Sequence, residues 1–420
     1  MKNNIALLTL FFVTFSLFNG CKKNDDECPI CPSVVSIFPT SGNGRDTLTI
    51  TGINFAESAA DNIVKINGVL IEPEKIISGT STEIKVIVPL NCGTGPVTVD
   101  FDSDLTNQGT PPVFQYINSY FVDVKTQLYQ PYGIVYNSLN NKMYAIHKSQ
   151  GAGGYNIVEI SMTGDAAVID SCPANQIMRD ITLRGNDIYV RLSTTVAPLS
   201  DKILKISGSS KTALAPIFVN FTVNGIAIDG SGNVYVASFE NKIYKIALDG
   251  SLSTFAGTGA AGTSDGPAAS ATFNSPYALA FDNQNNLYVT QTNANANFIR
   301  KITPAGIVST LAGTAGPGGS TDGPGSSAQF NDPRGIVCDN NGNVYVAEYA
   351  GQRIRKIDSN GNVTTLAGSG FTTANGVTIG DDISAQEATF NRPYDMAIDG
   401  TGNIWITDLS NNLIRVITTE

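Results

Sequence analysis

Histidine is almost absent from this chain of 420 residues, in which His147 is the only one. Catalysis by a histidine base and metal sites with several histidine ligands therefore have at most one candidate residue. Charged residues make up only 15% of the sequence, and their formal net charge is -10. Because a phosphate backbone is bound by a basic surface, nucleic acid is excluded as an expected partner.

Long helical patterns are also missing. After the first 20 residues, no extended run repeats apolar residues at helical spacing. Glycine and asparagine instead separate short stretches in which apolar and polar residues alternate, a pattern typical of β-structure. Since the length exceeds that of most single hydrophobic cores, we expect an all-β protein with more than one domain.

Residues 1–20 have the pattern of an export signal. Lys2 supplies positive charge, and the apolar run from Ile5 to Phe18 is too short for a membrane-spanning helix. The following residues, up to Cys21, resemble a bacterial lipobox. This resemblance implies a lipoprotein signal peptide that is removed before Cys21 and acylation of that cysteine. An ordinary cleaved signal peptide is the alternative.

Residues 21–32 are interpreted as a tether. The acidic cluster Asp25-Asp26-Glu27 resembles the signal that sends Bacteroidetes lipoproteins to the outer leaflet. Two or three acyl chains anchor a protein far better than one. We therefore expect a lipid-anchored protein of the outer membrane that is exposed at the cell surface, although the cluster is also compatible with a merely solvated tether.

Five cysteines remain after the lipidation site. Cys28 and Cys31 form one isolated pair, without the second pair that a zinc site needs or the βαβ context of a redox motif. Neither a metal nor a cofactor is predicted, and a disulfide between these two stays open. Cys92, Cys172 and Cys338 fall too far apart in the predicted fold to bridge one another.

Residues 33–117 contain short alternating runs broken by glycine, proline and asparagine, which favours a β-sandwich. Three segments carry a resemblance: Pro39-Thr40-Ser41-Gly42, Leu48–Phe55 and Val64–Gly68. They are similar to an IPT/TIG domain. The resemblance implies an immunoglobulin-like fold that serves as a spacer or an interaction module.

From Tyr120 onward, the chain repeats one pattern six times, with a period of about 45 to 60 residues. Each unit has an apolar run, a Gly/Asn turn, a second run centred on an aromatic residue and a third run, and all but the last have a fourth, as in a propeller blade. Asp339–Val346 with Arg353–Ile357 most closely resembles an NHL repeat. The resemblance implies a six-bladed NHL-type β-propeller over residues 120–420.

The last unit ends at Glu420 after its third strand, whereas residues 120–125 precede the first unit and belong to none. A three-stranded blade would leave an exposed edge. We therefore predict that residues 120–125 complete the sixth blade by pairing antiparallel with Leu413–Ile417.

Equivalent positions of a closed repeat lie on one circle, so columns of the repeat predict rings of side chains. Tyrosine faces stack on sugar rings, and arginine and asparagine bind hydroxyls or carboxylates. Tyrosines that only seal the joints between blades are the alternative. The predicted ligand-binding residues are Tyr132, Arg179, Asn224, Tyr277, Arg334 and Tyr394 before the first strands, with Gln291 at the end of a second strand.

Three long loops each carry an aspartate eight residues before a phenylalanine. One or two carboxylates per loop are too few for calcium, which takes six or more oxygen ligands, so turns with a phenylalanine plug are favoured over cation sites. The pairs are Asp265 with Phe273, Asp322 with Phe330, and Asp382 with Phe390.

These observations favour a cell-surface binding protein that recognises a glycan, or a surface protein, on the propeller rim, with the TIG domain as spacer. One alternative is a metal-dependent hydrolase or lyase that resembles the propeller lactonases, with Glu348, Asp408 and His147 as candidate catalytic residues. Another is a protein–protein scaffold. The sequence leaves the choice between glycan and protein partners open.

Overall fold

The computed structural model describes residues 31–42, 46–89, 92, 94–100, 110–116, 120–151, 153–196, 200–219, 222–293, 296–371 and 383–419. The predicted signal peptide, Cys21 and most of the predicted tether lie outside these ranges. Nearly all regular structure within them is β, as expected, with three short 3₁₀ turns at Ala59–Asp61, Pro73–Lys75 and Leu409–Asn411. None of the helical segments described is long and apolar enough to cross a membrane.

The chain divides into two compact units, of which unit 1 extends to Ser119 and unit 2 spans Tyr120–Thr419. Unit 1 contains two sheets with the strand orders β1-β3-β7-β6 and β2-β9-β8-β4-β5. Its strands are β1 Ser33–Phe38, β2 Ser41–Gly42, β3 Thr47–Ile53, β4 Ile63–Ile66, β5 Val69–Leu70, β6 Ile76–Gly79, β7 Glu83–Ile87, β8 Gly95–Asp100 and β9 Val113–Tyr116.

The core of unit 1 lies between these two sheets. Leu48 and Ile50 of β3 are fully buried, while the threonines between and after them are not, which is the period of two expected of a half-buried strand. Val64 and Val97 from the other sheet join the same apolar cluster. The alternating pattern of residues 33–117 thus produces the β-sandwich that it predicted.

Unit 2 consists, in the described residues, of six mainly antiparallel sheets that follow the six sequence repeats. Sheets 1 to 3 have four strands each. Sheet 1 contains β11 Pro131–Asn137, β12 Lys142–Lys148, β13 Tyr155–Ile160 and β14 Ala166–Cys172; sheet 2 contains β15 Gln176–Arg184, β16 Asp187–Thr194, β17 Ser200–Ser207 and β18 Ser210–Val219; sheet 3 contains β19 Val223–Ile228, β20 Val234–Ser238, β21 Lys242–Ile246 and β22 Leu252–Ala256.

Sheets 4 to 6 each gain a two-residue fifth strand from the long loops, which the sequence analysis did not foresee. Sheet 4 contains β23 Gly266–Pro267, β24 Pro276–Phe281, β25 Leu287–Gln291, β26 Phe298–Ile302 and β27 Ile307–Ala312; sheet 5 contains β28 Gly323–Pro324, β29 Pro333–Cys338, β30 Val344–Glu348, β31 Arg353–Ile357 and β32 Asn362–Ala367; sheet 6 contains β10 Tyr120–Gln127, β33 Ile383–Ser384, β34 Pro393–Ile398, β35 Ile404–Asp408 and β36 Leu413–Thr419.

The first strands of the six sheets contact one another in sequence order. Contacts run from β11 through β15, β19, β24 and β29 to β34, and β34 contacts β11 in turn. Apolar side chains fill the joints between neighbouring sheets, as where Tyr235 and Ala237 of sheet 3 join a cluster with Leu279 and Val289 of sheet 4. Residues at equivalent positions of the first strands are therefore neighbours.

The N-terminal strand of unit 2 completes sheet 6. Strand β10 pairs antiparallel with β36, from Tyr120 opposite Thr419 to Gln127 opposite Leu413. Val122 and Ile417, which face each other in this pairing, are almost completely buried. The antiparallel pairing that the incomplete last repeat predicted is present.

The cysteines of unit 2 lie where the repeat places them. Cys172 ends the outer strand β14 and Cys338 ends the inner strand β29. These two and Cys92 are free thiols, as predicted. Cys31 is disulfide-bonded, and its partner lies outside the described residues.

Candidate functional site at the channel mouth

All six first strands of unit 2 carry a β-bulge at the same point. In β11 the register jumps from Pro131 to Ile134, and the other five strands repeat the jump at the equivalent residues. A bulge bends its strand and re-aims a side chain. The first of the two bulged residues in each strand belongs to the predicted ligand-binding column: Tyr132, Arg179, Asn224, Tyr277, Arg334 and Tyr394.

The second bulged residue of each strand is small in four of the six. A Cβ atom on Gly225 would lie 2.5 Å from the carbonyl oxygen of Tyr277, and one on Gly335 would lie 2.8 Å from that of Tyr394. Such distances are far inside van der Waals contact, so only glycine permits this approach of neighbouring strands. The close packing of the bulges brings the column residues together.

Five of the six column residues line one small cavity of about 20 Å³: Arg179, Asn224, Tyr277, Arg334 and Tyr394. Space of this size holds roughly one water molecule. The sixth residue, Tyr132, makes an edge-to-face contact with Tyr394 at 5.2 Å between ring centroids. All six first strands also line a larger space of about 380 Å³, the channel, and Asp180, Ala278 and Asp395 line both spaces, so the column gathers at the mouth of this channel. The cavity at the mouth is too small to hold a sugar ring.

Tyr394 is enclosed by other aromatic groups. Its side chain is only 7% exposed, and its hydroxyl lies 2.7 Å from the hydroxyl of Tyr277. Burial raises the pKa of Tyr394 well above its usual value and that of Tyr132 to about 12, so both phenols are neutral. Because its ring is almost completely buried, Tyr394 is unsuited to the stacking role predicted for it and packs among neighbouring tyrosine rings.

The arginines of the cavity have unequal partners. Arg334 makes a two-point ion pair with Asp332 and lies 3.4 Å from the ring centroid of Tyr349. Arg191, which the sequence analysis missed, lies 3.6 Å from Asp201. Arg179 lies 5.6 Å from the ring centroid of Tyr132, and its Nε is buried without a hydrogen-bond partner in the described part of the chain.

Two carboxylates, also missed, occupy the second bulge position. Asp180 accepts a hydrogen bond of 2.5 Å from the backbone N–H of Ile226, and Asp395 accepts one of 2.9 Å from that of Ile134. Each therefore links its own sheet to the next. Burial raises the pKa of Asp180 to about 6, and burial together with the neighbouring Asp180 charge raises that of Asp395 further above its usual range. The sequence signal that could have identified these two aspartates is their repeat position, which holds Gly or Ala in the other four repeats.

A larger groove of about 440 Å³ adjoins the cavity through Tyr277 and Arg334, which line both. Its size is in the range of small-molecule sites. The half-exposed ring of Phe239, directly after β20, forms part of its wall. Amide, hydroxyl and carboxylate groups complete the lining: Thr292, Asn293, Asn297, Asn331 and Asp332.

The prediction of Gln291 as a ligand-binding residue is not supported by its position. Its side chain is completely buried, and its Oε1 accepts a hydrogen bond of 2.7 Å from Arg300. The guanidinium group of Arg300 lies 5.2 Å from the ring centroid of Phe273. Gln291 therefore belongs to the packing between the strands of sheet 4 and the long loop, and it lines neither the cavity nor the groove.

The three candidate catalytic residues occupy equivalent positions in their sheets, each opposite a proline of the first strand. Glu348 is fully buried and accepts a hydrogen bond of 2.9 Å from Arg355. Asp408 lies 3.4 Å from Arg415, and burial raises its pKa to about 6. His147 is half-buried beside the carbonyl of Lys148. No group of three or more His, Cys, Asp or Glu suited to a metal occurs in the ranges that the structure covers.

The aspartates of two long loops bind arginines. Asp265 lies 2.6 Å from Arg300 and Asp322 lies 2.6 Å from Arg355, and each aspartate also accepts the backbone N–H of a threonine on the outer strand. The three phenylalanines are buried plugs, as predicted: Phe273, Phe330 and Phe390. Asp382 lies outside the described residues. In these two loops, the aspartate and the phenylalanine therefore hold a buried arginine between them, in addition to forming the turn.

Comparison with protein families agrees with this architecture. Residues 32–116 match the model of the IPT/TIG domain, and residues 315–419 match that of the Teneurin NHL domain. The chain therefore contains an IPT/TIG domain followed by NHL-type repeats.

Curated relatives match only a segment of the chain. NHL repeat-containing protein 2 of Homo sapiens is 36% identical over 105 residues, which cover 24% of this chain and 14% of that protein. Teneurin-1 of Gallus gallus is 33% identical over 94 residues, covering 22% of this chain and 3% of that protein. The chain thus spans only a small fraction of the length of these relatives.

Solved structures resemble the whole chain in fold. An auxiliary nutrient binding protein from Bacteroides thetaiotaomicron has a TM-score of 0.62 at 16% identity, with 94% of this chain and 99% of that chain covered. An auxiliary nutrient binding protein from Bacteroides ovatus gives the same TM-score, identity and coverage. At this identity, the likeness concerns the fold alone.

Proposed function

We propose that this protein is a lipid-anchored binding protein at the outer-membrane surface and that unit 2 is a closed six-bladed propeller that binds a glycan at its mouth. The cyclic contacts of six first strands support the propeller, because closure brings the first and last repeats together. The pairing of β10 with β36 supports closure by joining the two ends of unit 2 in one sheet.

The observation that carries the glycan proposal is the groove beside the mouth. Flat aromatic groups bind the apolar face of a sugar ring, and amides and carboxylates bind its hydroxyls. The groove offers Phe239 and Tyr277 for the first purpose and Asn293, Asn297 and Asn331 for the second. Its volume suits one or two sugar residues with the remainder of a chain outside.

The fold neighbours support an external ligand. Two of them are described as auxiliary nutrient binding proteins, and both have nearly the full length of this chain in common with it. Export and acylation at Cys21 would place unit 2 outside the cell, where soluble glycans are available. Unit 1 would then act as a spacer between the membrane and the binding unit.

The proposal is tested on a glycan array with the chain from residue 22 onward, which retains both described units. Phe239→Ala should lower the affinity for the bound glycan by about 1 to 3 kcal/mol, because it removes a stacking surface. Phe371→Ala is the matched control, since Phe371 is an exposed phenylalanine outside the groove. Equal affinities of both variants and the wild type would move the site elsewhere, and binding of proteins instead of glycans would contradict the proposal.

A further inference from the structure

We propose that the glycan is acidic and that Arg179 binds an oxygen of its carboxylate group at the cavity of the channel mouth. This inference rests on the proposed function, because it names the chemical class of the ligand in the same site. A sugar carboxylate of the uronic acid type has the required chemistry.

Arg179 differs from the other arginines of the cavity in its partners. Arg334 and Arg191 each have an aspartate within ion-pair distance, at 3.0 Å and 3.6 Å. Among the residues that the structure describes, Arg179 has an aromatic contact with Tyr132 and an Nε without a hydrogen-bond partner. A guanidinium group with unused donors is the side chain best suited to bind a carboxylate with two parallel hydrogen bonds.

The sizes of the two spaces fit such a ligand. The cavity of about 20 Å³ holds roughly one water molecule, so one carboxylate oxygen can enter it, whereas the adjoining groove of about 440 Å³ admits a ring. Tyr277 and Arg334 belong to both linings, so a ring against Tyr277 has its substituent next to the cavity. The carboxylate of a uronic acid is a substituent of this kind.

The tyrosine pair supplies a further donor. Only one hydrogen can lie between the hydroxyls of Tyr277 and Tyr394, which are 2.7 Å apart, so the other hydroxyl hydrogen is available to an acceptor. Asp180 and Asp395 also line the cavity and oppose an anion when ionised. Burial raises the pKa of both groups, that of Asp180 to about 6, so this opposing charge decreases at and below about pH 6.

The test uses an array of uronic acid oligosaccharides, each beside its carboxyl-reduced neutral counterpart, and peptides with free or amidated C-termini. We expect the acidic sugars to bind about 10- to 100-fold more tightly than the reduced forms, since a hydrogen-bonded charge pair is lost on reduction. Arg179→Gln should remove this difference, and Arg179→Lys should retain part of it. Arg184→Gln, an exposed arginine at the other end of β15, should behave as the wild type.

The outcomes separate this inference from the proposed function. Equal binding of acidic and reduced sugars, or an acidic preference that survives Arg179→Gln, would overturn the inference and leave glycan binding intact. Binding of free peptide carboxylates alone, or of no sugar, would overturn both. Thermal unfolding followed by the fluorescence of Trp405, the only tryptophan, verifies that the variants are folded.

Discussion

The hydroxyl groups of Tyr277 and Tyr394 lie 2.7 Å apart, although the two residues belong to sheets 4 and 6 and are separated by 117 positions in the sequence. The contact spans sheet 5, so it crosses the mouth of the channel. Tyr394 is buried beneath it, while Tyr277 also reaches the groove. The two tyrosines therefore have different roles despite their equivalent positions in the repeat.

These roles predict that substitution lowers a different quantity in each case: stability for Tyr394 and glycan affinity for Tyr277. Tyr394→Ala should lower the free energy of unfolding by about 3 to 5 kcal/mol, because it empties a site packed against three other tyrosine rings. Tyr277→Ala should instead cost about 1 to 3 kcal/mol of glycan affinity. Urea unfolding and titration calorimetry measure the two quantities. Tyr136→Ala, at the other end of β11, is the control for affinity, and a larger affinity loss there than at Tyr277 would contradict the assignment.

The paired carboxylates of the channel predict a pH dependence. Because the pKa of Asp180 is about 6 in the folded protein and about 3.9 when unfolded, the folded state binds the proton more tightly. The stability from this proton is complete below pH 4 and is lost as the pH rises through 6. Asp180→Asn should therefore stabilise the protein at pH 8 by on the order of 1 to 3 kcal/mol and have little effect at pH 4.

The measurement for Asp180 is urea unfolding between pH 4 and pH 8. The amide oxygen of asparagine can still accept the N–H of Ile226, so the link between sheets 2 and 3 is preserved. Asp249→Asn is the control, since Asp249 is exposed and hydrogen bonds lower its pKa. A destabilised Asp180→Asn at pH 8 would show that the ionised carboxylate is needed for folding.

The pairing of β10 with β36 predicts that distant parts of unit 2 unfold together. Ile417→Ala should lower the free energy of unfolding by about 2 to 5 kcal/mol, because its side chain is 1% exposed and packs with Val122. The fluorescence of Trp405, in the same sheet, and amide hydrogen exchange in sheet 1 should both show this loss of stability. Exchange that rises in sheet 6 alone would contradict a ring that unfolds as one unit.

The position of Gln291 predicts the effect of substituting Glu348 by glutamine. Both residues end the second strand of their sheet and accept a hydrogen bond from a buried arginine, Arg300 or Arg355. Glu348→Gln should thus retain the fold at a cost of about 1 to 3 kcal/mol and leave glycan affinity unchanged. Urea unfolding and calorimetry test this. Lost binding with unaltered stability would place Glu348 in the site instead.

The sequence predicted most of the secondary structure because alternation and turns recur in every repeat. It also predicted that Tyr277 and Arg334 approach one another, since equivalent positions of adjacent repeats are neighbours. It did not predict that Tyr394 is buried, whereas Tyr277 is only partly buried and reaches the groove. That difference arises from the particular neighbours of each ring, such as Tyr132 and Tyr349, which a column of equivalent positions cannot distinguish.

Groups outside the chosen columns were missed for a similar reason. Phe239 follows a strand of sheet 3 and gains its role only because the groove beside it is open. Asp180 and Asp395 stand at a position where the other repeats have Gly or Ala, directly after the column of predicted ligand-binding residues. The structure shows that both residues belong to a β-bulge and line the cavity.

The most direct test of the account is a crystal structure of the chain from residue 22 onward with an acidic oligosaccharide selected on the array. We predict a sugar ring against Phe239 and Tyr277, with its carboxylate about 2.7 to 2.9 Å from the guanidinium nitrogens of Arg179. A sugar bound to the long loops of sheets 4 to 6, or to unit 1, with the mouth filled only by water would contradict it.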